Sequence, residues 1–227
     1  MGRPGAGRGM RALTPLEARV LGVLVEKQHT VPDTYPLSLN ALLAGCNQKT
    51  AREPVIGATE AELLTAVDGL KSLSLVFEGS SSRVARFEHN MARVYALPAA
   101  SVALLATLML RGPQTAAELR LHSERLHRFA DISSVEGFLD ELAAKEPARV
   151  IKLPRAPGAR EARWAHLLCG EVAFDAALAA AAPADALGVS AGEVAALKAE
   201  QTRLGDELAR LRQWAQRVGA ELGIDPP

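Results

Sequence analysis

The sequence predicts a mixed α+β fold that is mainly α with small β-hairpins. We expect two tandem winged helix-turn-helix modules, followed by a C-terminal coiled-coil helix. Three observations lead to this fold class. Apolar residues recur at helical spacing behind Thr and Ser capping signals, short strand-like segments follow each third helix, and the same order of elements starts again at residue 101. Aromatic residues make up only 4% of the chain, so Leu, Val and Ala must build the core, which favours helix.

The first helix is predicted over residues 13–28. Thr14 is followed by Pro15 at the first helical position and by Glu17 three residues after the cap. This is a capping box with a helix-starting proline. The apolar residues that then recur at helical spacing are Leu16, Val20, Val23 and Leu24.

The rest of the first module follows a loop that holds Pro32 and Pro36. LSLNALLAGCNQ predicts a short second helix, and residues 59–73 predict a third, which Thr59 and Glu62 open with another capping box. The segments LVFEG, SSSRVARFE and ARVYAL then predict short strands joined by a Ser-rich turn.

The second module repeats this order. SVALLATLMLRG predicts an apolar helix that ends at Gly112. Capping boxes are predicted to open the next two helices at Thr115/Glu118 and Ser133/Glu136. ARVIKLP and ARWAHLL then flank a tip that contains Pro157 and Gly158, which predicts a hairpin. Three helices followed by a hairpin is the order of a winged helix, and finding it twice indicates a tandem.

The C-terminal part differs from both modules. An Ala-rich, low-complexity stretch is predicted to be a linker. The predicted organisation is a disordered N-terminus at 1–12, winged-helix modules at 13–98 and 99–170, a linker at 171–192 and a coiled-coil helix at 193–223.

The coiled-coil prediction rests on positions that alternate steps of three and four over four heptads. They are Val194, Leu197, Gln201, Leu204, Leu208, Leu211, Ala215, Val218 and Leu222. This pattern is typical of a two-stranded coiled coil and predicts a homodimer. The alternative is a single amphipathic helix packed on its own chain.

Composition places the chain among soluble globular proteins, with 48% hydrophobic and 23% charged residues. The Gly- and Arg-rich start lacks the apolar stretch of a signal peptide, and the longest apolar run, VALLATLML, is too short to span a bilayer. We therefore expect a cytoplasmic protein whose two cysteines, Cys46 and Cys169, are reduced. The net charge is zero, but residues 1–170 are mildly basic and the tail is acidic.

No catalytic site is predicted. Cys46 has no nearby histidine and shares a helix face with Leu42 and Leu43, so we expect a buried core residue. The chain has no HExxH, GxSxG or phosphate-cradling glycine string and no cysteine–histidine cluster. The expectation is a non-enzymatic protein without a metal or cofactor.

Several unusual strings resemble the bacterial YceH-like family, a domain of unknown function. They are LSLNALLAGCNQKTAREPV, LMLRGPQTAAELR, SERLHRF and VIKLPRAPGAREARWAHLLCG, and the resemblance covers about residues 13–170. It implies a tandem winged-helix fold and no established activity.

The distribution of charge bears on DNA binding, the usual role of winged helices. The solvent faces of the predicted third helices are more acidic than basic, which disfavours conventional reading of the major groove. The cations lie elsewhere, and the candidate phosphate contacts are Lys49, Arg52, Lys152, Arg155, Arg160 and Arg163. The alternatives are a solvated hairpin at the second wing and, for Arg52, a salt bridge within the fold.

The predicted function is therefore a dimeric DNA-binding or regulatory protein that contacts phosphates through its basic wings, with double-stranded DNA as the partner. The alternative is a scaffold that binds another protein through its winged-helix surfaces and does not bind DNA.

Overall fold

The computed structural model describes residues 11–79, 84–155 and 160–172. The chain divides into two units, Met1–Ala182 and Pro183–Pro227, and every described residue belongs to the first unit. Several predicted segments lie outside the described residues. They are residues 1–10 of the predicted N-terminus, the Ser-rich turn at 80–83, the tip of the second hairpin at 156–159, the predicted linker from residue 173 onward and the predicted coiled-coil positions from Val194 to Leu222.

Helices dominate the described part of the chain, and the strands are short and antiparallel. The helices are α1 (Pro15–Thr30), α2 (Leu39–Cys46), α3 (Glu60–Ser72), α4 (Met91–Tyr95), α5 (Ala99–Arg111), α6 (Ala116–His122) and α7 (Ile132–Ala143). The strands are β1 (Leu37–Ser38), β2 (Val76–Gly79), β3 (Arg86–His89), β4 (Val150–Lys152) and β5 (Trp164–His166). The predicted class, mainly α with small β-hairpins, is confirmed. None of the described helices has the length and apolarity needed to cross a membrane.

The predicted capping boxes open α1, α3 and α6. In α1, Thr14 Oγ1 accepts from the Glu17 amide at 3.2 Å, and Glu17 Oε2 accepts from the Thr14 amide at 2.8 Å. The start of α7 differs from the prediction at Ser133, because Asp131 is the cap and its Oδ1 accepts from the Ser134 amide at 2.7 Å. A carboxylate two residues earlier is an equally good acceptor, so this helix begins sooner.

Two other predicted elements differ from the structure, one in its start and one in its type. The second helix begins at Leu39, since the preceding two residues form β1 and pair with β3. The segment ARVYAL, predicted as a strand, contributes most of helix α4. Met91, Val94 and Tyr95 are all covered, and their spacing of three and four places them on one face of a helix, whereas in a strand Val94 and Tyr95 would point to opposite faces.

The two halves of the described chain have the same strand arrangement. In the first half the sheet order is β1-β3-β2, so a strand located between the first two helices pairs with the last strand. In the second half β4 pairs with β5, and Gln114, located between α5 and α6, bridges to Trp164 of β5. This repeated arrangement is compatible with two winged helices.

The hydrophobic core is continuous through both halves, and α1 packs along α5 at its centre. Gly22 of α1 faces Leu110, whose Cγ would lie 3.0 Å from an added Cβ, so glycine allows the two helices to approach closely. Residues from Glu17 to Val25 are all buried, because α3 and α2 cover other sides of the same helix. The buried surface of α1 is therefore wider than the predicted stripe of Leu16, Val20, Val23 and Leu24.

Candidate nucleic-acid interface

The second hairpin carries the cations that the sequence predicts as phosphate contacts. Lys152 and Trp164 are paired across β4 and β5. The Lys152 ammonium lies 5.3 Å from the centre of the indole ring, while the side chain stays exposed to solvent. A cation over an aromatic face keeps its charge available at the surface. Lys152 is thus held on the sheet without an ionic partner among the described residues.

Arg155 and Arg160 lie on either side of the hairpin tip, and both are exposed. Neither side chain has a hydrogen bond or ion pair with another described residue. Glu161, the acidic neighbour of Arg160, is exposed as well. Guanidinium groups without an internal partner can pair bidentately with phosphate oxygens, so these two arginines are the best placed of the predicted contacts.

Arg163 is engaged within the protein. Its Nη1 donates to the Pro113 carbonyl at 2.9 Å and lies 3.2 Å from Glu118 Oε2. The side chain is about three-quarters covered, and Glu118 neutralises its charge. The prediction of a phosphate contact at Arg163 is therefore corrected: this residue ties the base of the hairpin to the start of α6.

The prediction of a phosphate contact at Arg52 is also corrected, because Arg52 is engaged within the protein and is more deeply buried than Arg163. Its side chain is 0% exposed, with Nη2 only 2.6 Å from Glu26 Oε2 and Nε donating to the Gly45 carbonyl at 3.1 Å. A buried guanidinium that is already neutralised has no face left for phosphate. The alternative expectation of a salt bridge within the fold describes its geometry.

Lys49 remains available in the turn after α2, where it is exposed. Asn47, the residue that ends α2, closes the loop that follows it. Its amide side chain donates to the Ala58 carbonyl and accepts from the Ala58 amide, both at 2.8 Å. This pair closes the loop that leads into α3 and positions Lys49 at its surface.

Cys46 lies in the core, as expected, and is fully buried at the end of α2. Burial raises the pKa of its thiol to about 12, although Arg19 and Arg52 lie close enough to oppose that rise. A protonated, buried thiol is a packing group. Cys46 and Cys169 are both free cysteines. Within the described ranges, no three His, Cys, Asp or Glu side chains are grouped so that they could hold a metal.

The third helix of each half presents carboxylates to solvent. On α3 the exposed acidic residues are Glu60, Glu62 and Asp68, and on α7 they are Glu136, Asp140 and Glu141. Lys71 on α3 pairs with Glu78 and Asp68, so it does not offset this charge. Phosphates approaching either helix would meet like charge.

A second group of cations lies at the end of α6 and in the turn that follows it, and none of them is among the predicted phosphate contacts. Arg120, Arg125 and Arg128 are exposed there, with only Glu124 among them. Arg120 Nη2 donates to the Ala130 carbonyl at 3.1 Å, which holds it against the turn. The sequence alone indicates part of this basic group, because the string SERLHRF contains two arginines and a histidine within seven residues.

The sequence of the chain matches a known protein family. A family described as "Protein of unknown function, DUF480" matches residues 13–159. The chain belongs to this family. DUF480 therefore covers both halves as far as the tip of the second hairpin, and the predicted membership of an uncharacterised bacterial family is confirmed.

Relatives of this DUF480 chain are similar over almost their whole length. A UPF0502 protein of Burkholderia thailandensis is 70% identical over 216 residues, which cover 95% of this chain and 92% of that protein. A UPF0502 protein of Paraburkholderia xenovorans is also 70% identical over 216 residues, covering 95% of this chain and 91% of the relative.

Proposed function

We propose that this DUF480 protein is a non-enzymatic, dimeric tandem winged-helix protein that binds double-stranded DNA through its second wing. The observation that carries the proposal is the state of Lys152, Arg155 and Arg160. All three are exposed on one hairpin, and none is paired with a described carboxylate. Exposed, unpaired cations can neutralise phosphates and so release the counterions condensed on the DNA. This release is the main source of sequence-independent affinity.

The mode of binding follows from the acidic third helices. Insertion of α3 or α7 into a major groove would bring Asp68 or Asp140 near phosphates, at a cost in electrostatic free energy. A hairpin with arginines on both sides of its tip can instead follow the backbone or enter a narrow minor groove. The proposed recognition is therefore of backbone and groove shape, with little reading of base edges.

Dimerisation is part of the proposal and rests on the heptad pattern of the tail. Two paired chains would hold two such wings together, and each wing would raise the effective concentration of the other on the same duplex. Weak contacts by a few cations would then suffice for measurable binding.

The test is a fluorescence-anisotropy titration of the full chain on arbitrary duplex DNA at several salt concentrations. We expect a linear fall of log K with log salt, since each phosphate contact contributes a slope of about −0.9. Arg155→Ala should weaken binding and reduce the magnitude of that slope by about 1 for each bound chain. Arg93→Ala, which removes an exposed arginine from α4, is the matched control and should change the slope less.

The absence of binding at about 50 mM salt, where phosphate contacts are strongest, would overturn the proposal. So would equal effects of the Arg155 and Arg93 variants, because binding would then depend on overall charge and not on the hairpin.

A protein-binding scaffold is the second candidate, and one surface favours it. Leu121 and Ile132 are 63% and 44% exposed beside the α6–α7 turn, next to a depression of about 210 Å³. Exposed apolar side chains of this size at one place favour contact with another protein. A Leu121→Ser variant that loses a protein partner and retains the salt-dependent affinity for DNA would support this second role.

A further inference from the structure

A cleft of about 520 Å³ lies between the first half of the described chain and the second. Its walls are formed by the first turns of α1, the loop at 53–58, the end of α5 and the residues that follow β5. Most of the lining is apolar and includes Leu16, Ile56, Leu108 and Met109. The volume and the apolar lining are typical of sites for small molecules, which range over about 300–1,000 Å³.

Arg19 supplies the positive charge in this cleft. It is only 3% exposed, and its Nη groups donate to the carbonyls of Cys46 at 3.3 Å and Pro54 at 2.6 Å. Its Nε is buried and has no hydrogen-bond partner in the described protein. No described carboxylate lies within 4.0 Å of its guanidinium, and Glu53, which lines the same cleft, acts on it only from a longer distance. The cation is therefore buried without an ion pair among the described residues.

Comparison with Arg52 shows that two guanidiniums buried close to the end of α2 are neutralised differently. Both guanidiniums are buried, and both donate to carbonyls near the end of α2. Arg52, however, also makes two contacts with Glu26, at 3.1 and 2.6 Å. Burial of a cation is unfavourable unless it is paired. The difference is explained if the counter-charge of Arg19 comes from a molecule that enters the cleft.

His166 adds a second polar group to the lining. It is the last residue of β5, and its Nδ1 is buried without a hydrogen-bond partner in the described residues. Burial lowers the pKa of His166 to about 4, so the ring is neutral at pH 7. A neutral imidazole can donate or accept a hydrogen bond, according to its tautomer.

We propose that this cleft binds a small apolar monocarboxylate, whose carboxylate pairs with Arg19 and whose apolar body contacts α1, α5 and the 53–58 loop. Glu53 and Glu62 also line the cleft, but both are exposed, and Glu62 is engaged in the cap of α3 with Thr59. Their charges are therefore screened by water, whereas that of Arg19 is not. A ligand with one carboxylate on an apolar body fits this distribution, and it would contact both halves of the chain.

The probe is a pair of molecules of almost the same shape, naphthylacetate and the neutral naphthylacetamide. Each is titrated into the full chain by isothermal calorimetry near pH 7.5. We expect one naphthylacetate to bind per chain. We expect naphthylacetamide to bind at least about tenfold more weakly, because it cannot form the charge-assisted pair with Arg19. Equal affinities for the two probes, or no binding of naphthylacetate, would overturn the proposal.

Two variants at neighbouring positions test whether naphthylacetate binds in this cleft. Ile56→Trp fills the cleft from a half-buried loop position, and we expect it to abolish binding of naphthylacetate. Val55→Trp is the matched control, since Val55 is 54% exposed and does not line the cleft, and it should keep the wild-type affinity. Unchanged binding in Ile56→Trp would overturn the assignment of the site.

Arg19→Gln tests the charge. We expect this variant to lose the preference for naphthylacetate over naphthylacetamide, and a preserved tenfold preference would contradict the role of Arg19. If loss of the Pro54 contact prevents folding of this variant, the comparison of Ile56→Trp with Val55→Trp still decides the proposal. None of these measurements uses DNA, so the result is independent of the proposed function.

Discussion

The guanidinium of Arg52 and the carboxylate of Glu26 form a two-contact ion pair, although 26 residues separate them in the sequence. Nη1 lies 3.1 Å from Oε1 and Nη2 lies 2.6 Å from Oε2. Since Nε donates to the Gly45 carbonyl at the same time, this one side chain connects α1, α2 and the turn before α3. Lys27 adds a contact to Glu26 at 3.1 Å.

Removal of this arginine should destabilise the protein. In Arg52→Gln the Glu26 carboxylate stays largely covered without its main partner, which is expected to lower the free energy of unfolding by about 3 kcal/mol. Arg160→Gln removes an exposed arginine with no described partner and should change it by less than about 0.5 kcal/mol. Urea unfolding monitored by circular dichroism measures both variants. Similar values for the two would show that the Arg52–Glu26 pair contributes nothing beyond its net charge.

Two helical glycines should respond to alanine in opposite ways. An added Cβ at Gly69 of α3 would overlap Glu17 Oε1 on α1, and Glu17 is held there by Arg11 Nη2 at 2.6 Å and by the Thr14 amide at 2.8 Å. Gly69→Ala should therefore destabilise the protein. An added Cβ at Gly137 of α7 meets nothing within 4 Å, so Gly137→Ala should stabilise by up to about 1 kcal/mol through helix propensity.

Thermal unfolding of the two glycine variants under identical conditions gives the comparison. A gain in melting temperature for Gly69→Ala would mean that the Glu17 side chain can move away from α3 at little cost, although Arg11 and Thr14 hold it there.

Stability should fall in mildly acidic solution because of His89. Burial, together with His29, lowers the pKa of His89 to about 4. Its ring fits the neutral form, since Nε2 lies 2.7 Å from Gln28 Oε1 and the Met91 amide donates to Nδ1 at 3.4 Å. The unfolded chain takes up this proton near pH 6.5, before the folded chain does. Stability present above pH 6.5 is therefore lost as the pH falls toward 4.

The measurement is the free energy of unfolding in urea at pH 7 and pH 5. The contribution of His89 to the difference is on the order of 1 kcal/mol. His89→Gln should reduce the difference without abolishing it, because burial also lowers the pKa of His166 to about 4. An unchanged difference in His89→Gln would show that this histidine is protonated to the same extent in the folded and unfolded chains.

The association of chains is predicted to depend on the C-terminal tail. Sedimentation equilibrium of the full chain should give twice the mass of one chain, 24.0 kDa. A chain truncated after Gly170 should sediment as a monomer, because the coiled-coil positions are then removed. Leu204→Glu together with Leu211→Glu provides the same test in the full chain. A dimer that persists after truncation would place the interface elsewhere.

Local signals explain which predictions succeed. The capping boxes at Thr14, Thr59 and Thr115 act over three residues, so the sequence alone is enough to locate the starts of α1, α3 and α6. The end of α5 at Gly112, which has a φ of 72°, is a signal of the same range. The antiparallel hairpin of β4 and β5 was predictable from its strand composition and its turn residues.

The errors occur where packing overrides the local preference. Residues 91–95 contain β-favouring Val94 and Tyr95, yet they form a helix, in which Val94 and Tyr95 pack on the same face as Met91 instead of pointing to opposite sides. The cap of α7 moves to Asp131 because two acceptors compete within one turn, and sequence alone does not rank them.

The sequence by itself determined three helices in each half, their order and the acidic character of both third helices, since each depends on residues within one or two turns of one another. Tertiary structure decided which cations face solvent. Arg52 and Arg163 have the same formal charge as Arg155 and Arg160, but Glu26 and Glu118 approach the first two from distant parts of the chain. Tertiary structure also decided that Arg19 is buried without an ion pair among the described residues, because the distance from a cation to a carboxylate depends on how the chain folds and cannot be read from their separation in the sequence.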